Sequence, residues 1–264
     1  MLKTISFHPK FAAVIDALSG AALLFFLARV GNWWWLLLWV AVRFLVWALL
    51  VRLVYYPPEV NRWRHLFSLC FFGLGLVCFL IFMEWTWSWN IFGFLFVILP
   101  AVSFWLLPPR HGGGLVFAAK PHRRWLLFMD VLGLSGLWSG LHAIYSFQIF
   151  YNINYWVWII LGTAVTAVVS IWWWREYKIA YSRKFSLGLI ILILFVLELS
   201  WIVFLWPLGY LASALFTVWL WYLLWLVLRF HLSGEGVDWR KQWLFLTINL
   251  ILVGLFLLFI VKWR

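Results

Sequence analysis

The sequence is short of charged residues for its length. Asp, Glu, Lys and Arg make up 11% of its 264 residues, whereas they make up about 25% of an ordinary soluble domain. Hydrophobic residues make up 67% of the chain, against about 45–50% in a soluble domain. A soluble fold of this length could not bury so much apolar surface. The composition therefore excludes a soluble enzyme, a disordered chain and a nucleic-acid-binding module.

Cysteine and the common catalytic motifs are also scarce. Cys70 and Cys78 are the two cysteines of the chain, and two cysteines in one apolar stretch form neither a disulfide framework nor a zinc site. A Walker loop, a His-Glu-x-x-His motif and a dinucleotide fingerprint are all missing. Arg110 and His111 precede three glycines, as in some oxyanion loops, but no Gly-x-Ser-x-Gly motif accompanies them. We therefore predict no metal and no cofactor.

Long apolar runs account for most of the chain. A helix that spans a bilayer needs about 20 mostly apolar residues. Nine segments satisfy this, near residues 11–30, 33–55, 66–84, 90–107, 125–147, 153–174, 185–206, 209–230 and 243–261. The runs are continuous and not alternating, which favours helices over barrel strands. The sequence predicts an all-α, polytopic transmembrane bundle of about nine helices.

The basic residues are distributed unevenly along the chain, whose net charge is +12. With loop-end residues included, sixteen of the twenty Lys and Arg fall in the N-terminal tail and the connections after the second, fourth, sixth and eighth spans. The positive-inside rule then places the N-terminus in the cytoplasm and the C-terminus outside. We expect a prokaryotic cytoplasmic membrane, with the excess charge facing anionic lipid headgroups and no nucleic acid bound.

Polar residues recur at a constant offset. His8 and His122, Lys10 and Arg124, Asp16 and Asp130, Glu84 and Glu198, and Trp87 and Trp201 are each 114 residues apart. We interpret this as two four-helix repeats, 1–111 and 112–231, followed by a ninth helix in 232–264. Four spans per repeat would give both repeats the same direction across the membrane.

Polar side chains within the spans are the candidate functional residues, because each is costly to place in a bilayer. They are Asp16, Arg43, Asp130, His142, Glu198 and Asn249. The two aspartates are either structural or a pair of ion or proton sites, with Asn249 as a neutral third position. Glu198 with Arg43 or His142 is either a functional polar centre or a buried structural pair.

A second group of candidates lies at the predicted cytoplasmic face, where basic residues would meet lipid headgroups. It comprises His8, Arg110, His111, His122, Arg123, Arg124 and His231. In the fifth span, Gly133, Gly136 and Gly140 form a narrow small-residue face, which predicts close packing on a neighbouring helix.

Three functions fit these residues. The first is a small secondary carrier, or a lipid or ion translocator, with a polar site between the two repeats. The second is a non-catalytic scaffold or subunit of a larger membrane complex, which requires a membrane-protein partner. The third is an intramembrane lipid-modifying enzyme with a cytoplasmic-face site, although we expect no enzyme. Intramembrane charges that line one cavity would favour the carrier, and charges that are individually satisfied or face lipid would favour the subunit.

Overall fold

The computed structural model describes residues 7–27, 33–55, 61–82, 86–107, 115–147, 149, 153–206, 208–233 and 239–259. These residues form nine α-helices and no strand. The helices are α1 (Pro9–Leu27), α2 (Trp33–Val54), α3 (Asn61–Phe82), α4 (Thr86–Trp105), α5 (Leu115–Ser146), α6 (Tyr155–Glu176), α7 (Arg183–Leu205), α8 (Tyr210–Leu232) and α9 (Trp239–Phe259). The predicted all-α helical bundle is confirmed.

Seven of these helices, α3 to α9, contain stretches long and apolar enough to cross a membrane. The stretches are Arg62–Phe82, Trp87–Trp105, Pro121–Ser146, Tyr155–Glu176, Arg183–Leu205, Tyr210–Leu232 and Gln242–Phe259. The other two, α1 and α2, are helices of 19 and 22 residues. The orientation of the bundle across the membrane stays a prediction.

Capping residues mark two of the helix starts. The Asn154 side chain accepts a hydrogen bond from the backbone N–H of Trp156 at the start of α6. Ser182 accepts one from the backbone N–H of Phe185 at the start of α7. Both side chains satisfy backbone donors that the first helical turn leaves without an intrahelical partner.

The start of α5 corrects the predicted boundary. The span was expected near residue 125, and α5 begins at Leu115 and contains Pro121. His122, Arg123 and Arg124 are therefore helical residues and not loop residues. A proline and three basic residues gave a loop-like local composition, but the helix continues through them.

The chain divides into two compact units, residues 1–136 and 137–264, so that α5 contributes to both. In the first unit, α1 packs against α2 and α4, and α3 packs against the same two helices. These four helices therefore form a closed bundle. The repeat hypothesis placed its boundary after residue 111, and it stays a prediction.

The glycine face of α5 packs against α3 in the first unit, as the sequence predicted. A Cβ atom added to Gly136 would lie 1.9 Å from the carbonyl oxygen of Gly75. One added to Gly75 would lie 2.0 Å from the carbonyl oxygen of Gly133. The two backbones approach so closely that only glycine fits at the crossing.

In the second unit, tryptophans bind helices together through hydrogen bonds. Trp138 donates to Thr166 Oγ1 over 3.1 Å, which joins α5 to α6. Trp221 donates to Ser170 Oγ over 2.9 Å, which joins α8 to α6. Trp173 and Trp174 of α6 are also buried, with 1% and 0% of their surface exposed.

Candidate functional site

The innermost polar group of the first unit is an ion pair between α1 and α2. Arg43 Nη2 lies 3.0 Å from Asp16 Oδ1, and neither side chain is exposed. Arg43 Nη1 donates to the backbone oxygen of Asp16 over 3.0 Å and to Ser19 Oγ over 2.9 Å. Trp47 Nε1 donates to Asp16 Oδ1 over 2.9 Å. The aspartate thus receives donors from two residues one turn apart on α2.

Helical spacing places the groups that surround this pair. Asp16, Ser19 and Gly20 occupy positions i, i+3 and i+4 of α1, and such residues share a helix face. A Cβ atom at Gly20 would lie 2.8 Å from Arg43 Nη2, so the glycine leaves room for the guanidinium. The guanidinium carbon lies 4.9 Å from the Trp47 ring centre and 5.7 Å from that of Phe96, within cation–π range.

This geometry corrects the expected partner of Arg43. The sequence analysis offered Glu198, and the ion pair that the structure places on Arg43 is with Asp16. Asp16 Oδ2 and Arg43 Nε have no hydrogen-bond partner among the described residues. Each charge compensates the other inside the protein, and further hydrogen bonds hold the pair. The ion pair is therefore a structural link between α1 and α2.

Asp130, the predicted counterpart of Asp16, has different surroundings. It is buried on α5 and accepts a hydrogen bond of 3.2 Å from Ser68 Oγ of α3. This contact joins the same two helices as the glycine crossing. Glu84, which the repeat pairs with Glu198, lies outside the described residues.

A histidine cluster that the sequence analysis missed lies where α2, α3, α4 and α5 meet. His65 is fully buried. Its Nε2 lies 2.7 Å from Ser103 Oγ, and its Nδ1 lies 3.4 Å from the Tyr55 hydroxyl. The His122 ring is half-buried and stands edge-on to His65, with ring centres 5.0 Å apart.

The hydrogen bonds of Ser103 define the tautomer of His65. Ser103 Oγ donates its one proton to the backbone oxygen of Pro100 over 2.6 Å, so it must accept from His65. His65 therefore carries a proton on Nε2, and Nδ1 accepts from the Tyr55 hydroxyl in the neutral ring. The sequence feature that could have indicated the contact between His65 and Ser103 is a serine three residues after a proline within a predicted span.

The three polar candidates of the second unit are not brought together by hydrogen bonds or ion pairs among the described residues. His142 is buried with its ring centre 4.2 Å from that of Phe204, and its Nε2 has no hydrogen-bond partner in the described part of the chain. Asn249 accepts from Trp219 Nε1 over 2.9 Å and donates to the Phe245 carbonyl over 2.8 Å. Its amide thereby links α9 to α8.

Glu198 lies on the exposed side of α7. It was predicted to form a polar centre or a buried pair with Arg43 or His142. The exposed position removes the basis for a buried pair with His142. Among the candidate residues within the spans, Glu198 is thus the one whose side chain is exposed.

Three of the seven predicted headgroup candidates have exposed side chains. His8, Arg124 and His231 are exposed, and Arg123 is half-buried. The Lys10 ammonium, near His8, lies 5.1 Å from the ring centre of Trp105. Arg110 and His111 lie outside the described residues. Within the ranges that the structure covers, no three His, Cys, Asp or Glu side chains are grouped as a metal site would require.

Comparison with protein-family models, with curated proteins and with solved structures finds no match for this chain. The assignment of the chain to a class of protein therefore rests on the apolar helices α3 to α9, which are long enough to cross a membrane. The chain is an integral membrane protein. Which of the three predicted functions this membrane protein performs must be argued from its own side chains.

Proposed function

We propose that this membrane protein is a non-catalytic subunit, or scaffold, of a larger membrane assembly. The observation that carries the proposal is the Asp16–Arg43 pair, which is completely buried. A carrier needs polar groups that can exchange their partners for a substrate or an ion. Here the one arginine deep in a predicted span uses its guanidinium on a carboxylate, a carbonyl and a hydroxyl of α1.

Two of the remaining candidates support the same proposal. Asp130 and Asn249 each make a contact between two helices, to Ser68 and Trp219 respectively. Side-chain hydrogen bonds of this kind hold membrane helices together. Asp130 and Asn249 thus fix helix positions, which fits a subunit that acts through the contacts of its surface with other proteins.

Purification from the native membrane tests this proposal. The chain would carry an affinity tag and be extracted under mild conditions, and the molar ratio of every co-purifying protein would be measured. We expect one or more membrane proteins at a fixed, whole-number ratio, and a tagged unrelated membrane protein of similar length serves as the control. A chain that purifies alone from every extraction would contradict the proposal.

We also propose that the exposed basic helix ends bind anionic lipid headgroups. Lys10 and Arg62 lie 5.1 and 5.0 Å from the ring centres of Trp105 and Trp63. Both tryptophans are exposed, by 52% and 60%. Paired cations and indoles are typical of a protein surface at the headgroup level.

Nanodiscs of defined lipid composition test the headgroup proposal. The wild-type protein should unfold at a higher temperature in anionic than in zwitterionic lipid. A Lys10→Gln, Arg62→Gln, Arg124→Gln variant should lose most of this difference. Equal unfolding temperatures of the wild type in the two lipids would contradict the proposal.

A further inference from the structure

One exposed stripe runs along α7. Its apolar members recur at helical spacing of three and four residues, and between 41% and 68% of each is exposed: Leu187, Ile190, Ile191, Leu194, Trp201, Ile202 and Leu205. Glu198 is exposed within the same stripe. Residues at this spacing share one face of a helix. The stripe is therefore a continuous apolar face interrupted by one carboxylate.

The carboxylate lies deep within the span. Arg183–Leu205 is the most apolar of the seven spanning stretches, with a mean hydropathy of 2.7. Glu198 is seven residues from the end of α7 at Leu205, which corresponds to about 10 Å along a helix. The glutamate side chain is too short to reach the membrane interface over that distance. Lysine and arginine side chains are longer and can reach the interface from positions near helix ends.

We infer that this stripe is the docking surface for a membrane-spanning helix of a different polypeptide, which carries a Lys or Arg at the depth of Glu198. The inference rests on the proposed function and names the partner of that subunit. An exposed carboxylate facing lipid is costly, and a cation on a partner helix would remove that cost. The surrounding leucines and isoleucines supply the apolar contact on either side.

A second copy of this chain cannot supply the cation. Arg43 is the one Lys or Arg deep in a predicted span, and it is buried against Asp16. The other basic residues lie near the ends of the apolar spans or in the connections. Two copies that met through α7 would place carboxylate against carboxylate. Charge complementarity therefore favours a heteromeric contact.

Synthetic transmembrane peptides provide a defined probe. Three leucine-rich peptides would be identical except for a central Lys, Leu or Glu, and their binding to the purified chain in nanodiscs would be followed by fluorescence transfer. The wild type should bind the Lys peptide about three- to twentyfold more tightly than the Leu peptide, the range of measured polar contacts between membrane helices. The Glu peptide should bind most weakly.

Two variants at one position complete the test. Glu198→Gln keeps the size of the side chain and should abolish the preference for the Lys peptide, with an unchanged unfolding temperature. Glu198→Lys should reverse the preference toward the Glu peptide. Equal binding of the Lys and Leu peptides to the wild type, or a preference that survives in Glu198→Gln, would overturn the inference.

The same variant separates this inference from the proposed function. If the assembly purified from the native membrane contains Glu198→Gln at the wild-type ratio, the contact through Glu198 is wrong and the subunit proposal stands. If the wild type purifies alone, the subunit proposal itself fails. Loss of the partner from Glu198→Gln, but not from a Leu215→Gln control on the exposed side of α8, would support both.

Discussion

Arg43 is the side chain on which the first unit depends most. Its guanidinium reaches Asp16, Ser19 and the rings of Trp47 and Phe96 from one position on α2. Removal of one partner of a buried ion pair leaves an uncompensated charge, which typically costs about 3–5 kcal/mol. Removal of both partners together costs much less, because no buried charge remains.

We therefore predict a strongly non-additive pair of substitutions. Arg43→Met and Asp16→Leu should each destabilise the protein by about 3–5 kcal/mol, and the double variant should recover most of that loss. Reversible unfolding in mixed micelles measures the three values. Additive losses in the double variant would show that the ion pair is not the dominant interaction of these residues.

The hydrogen bond from His65 to Ser103 leads to a second prediction. Ser103→Ala should destabilise the protein by about 1–3 kcal/mol, since it leaves a buried N–H of His65 without an acceptor. Ser186→Ala, which changes an exposed serine of α7, is the matched control and should alter stability little. Thermal unfolding of both variants in one lipid checks the difference, and equal effects would contradict the tautomer assigned to His65.

The sequence identified individual residues that are costly to place in a membrane, but it did not identify the residues that they contact. Asp16 and Arg43 were identified because charge is rare within apolar spans. Their pairing depends on the rotation of α1 relative to α2, and nearly uniform apolar helices carry little periodic signal for that rotation. His65 was not identified as a buried residue because it lies close to Arg62 and Arg64 in the sequence, although it is buried against Ser103.

Among the elements, the crossing of α3 and α5 is the most demanding. Backbone atoms oppose Gly75 and Gly136 there, so an added methyl group must push the two backbones apart. The glycine face of α5 was predictable from the spacing of Gly133 and Gly136. Gly75 was not identified as its partner, because Gly73 and Gly75 are two residues apart and therefore do not share one face of a helix.

Two glycine substitutions test this crossing against a control. Gly136→Ala should lower the unfolding temperature sharply or prevent folding. Gly254→Ala on α9 should leave it unchanged or slightly raise it, because nothing lies within 4 Å of a Cβ added there and alanine favours helix by about 1 kcal/mol over glycine. Similar behaviour of the two variants would contradict the close approach of α3 and α5.

For the whole molecule, the distribution of basic residues predicts the topology. An odd number of spans with a cytoplasmic N-terminus places the C-terminus outside. A periplasmic phosphatase fused after Arg264 should therefore be active, and a fluorescent protein fused there should stay dark. A fusion after residue 233, which follows the eighth helix, should give the reverse result. Fluorescence at the C-terminus would contradict the predicted orientation.

The membrane class and the helices were predictable for the whole chain, since both follow from the length and apolarity of continuous runs. The function was not, because the intramembrane charges make contacts that only the packed structure defines. Glu198 illustrates the difference. The sequence marks it as costly, and its exposed position on α7 makes it a candidate contact for a partner.

The mass of the native particle shows whether this chain is a subunit of a larger assembly. The tagged chain would be extracted with its surrounding lipid by a nanodisc-forming polymer, and the mass of the intact protein complex would be determined by native mass spectrometry. The account predicts a particle that contains this 31.4 kDa chain together with a different polypeptide in a fixed ratio. A particle of 31.4 kDa, or of a whole-number multiple of that mass, would contradict it.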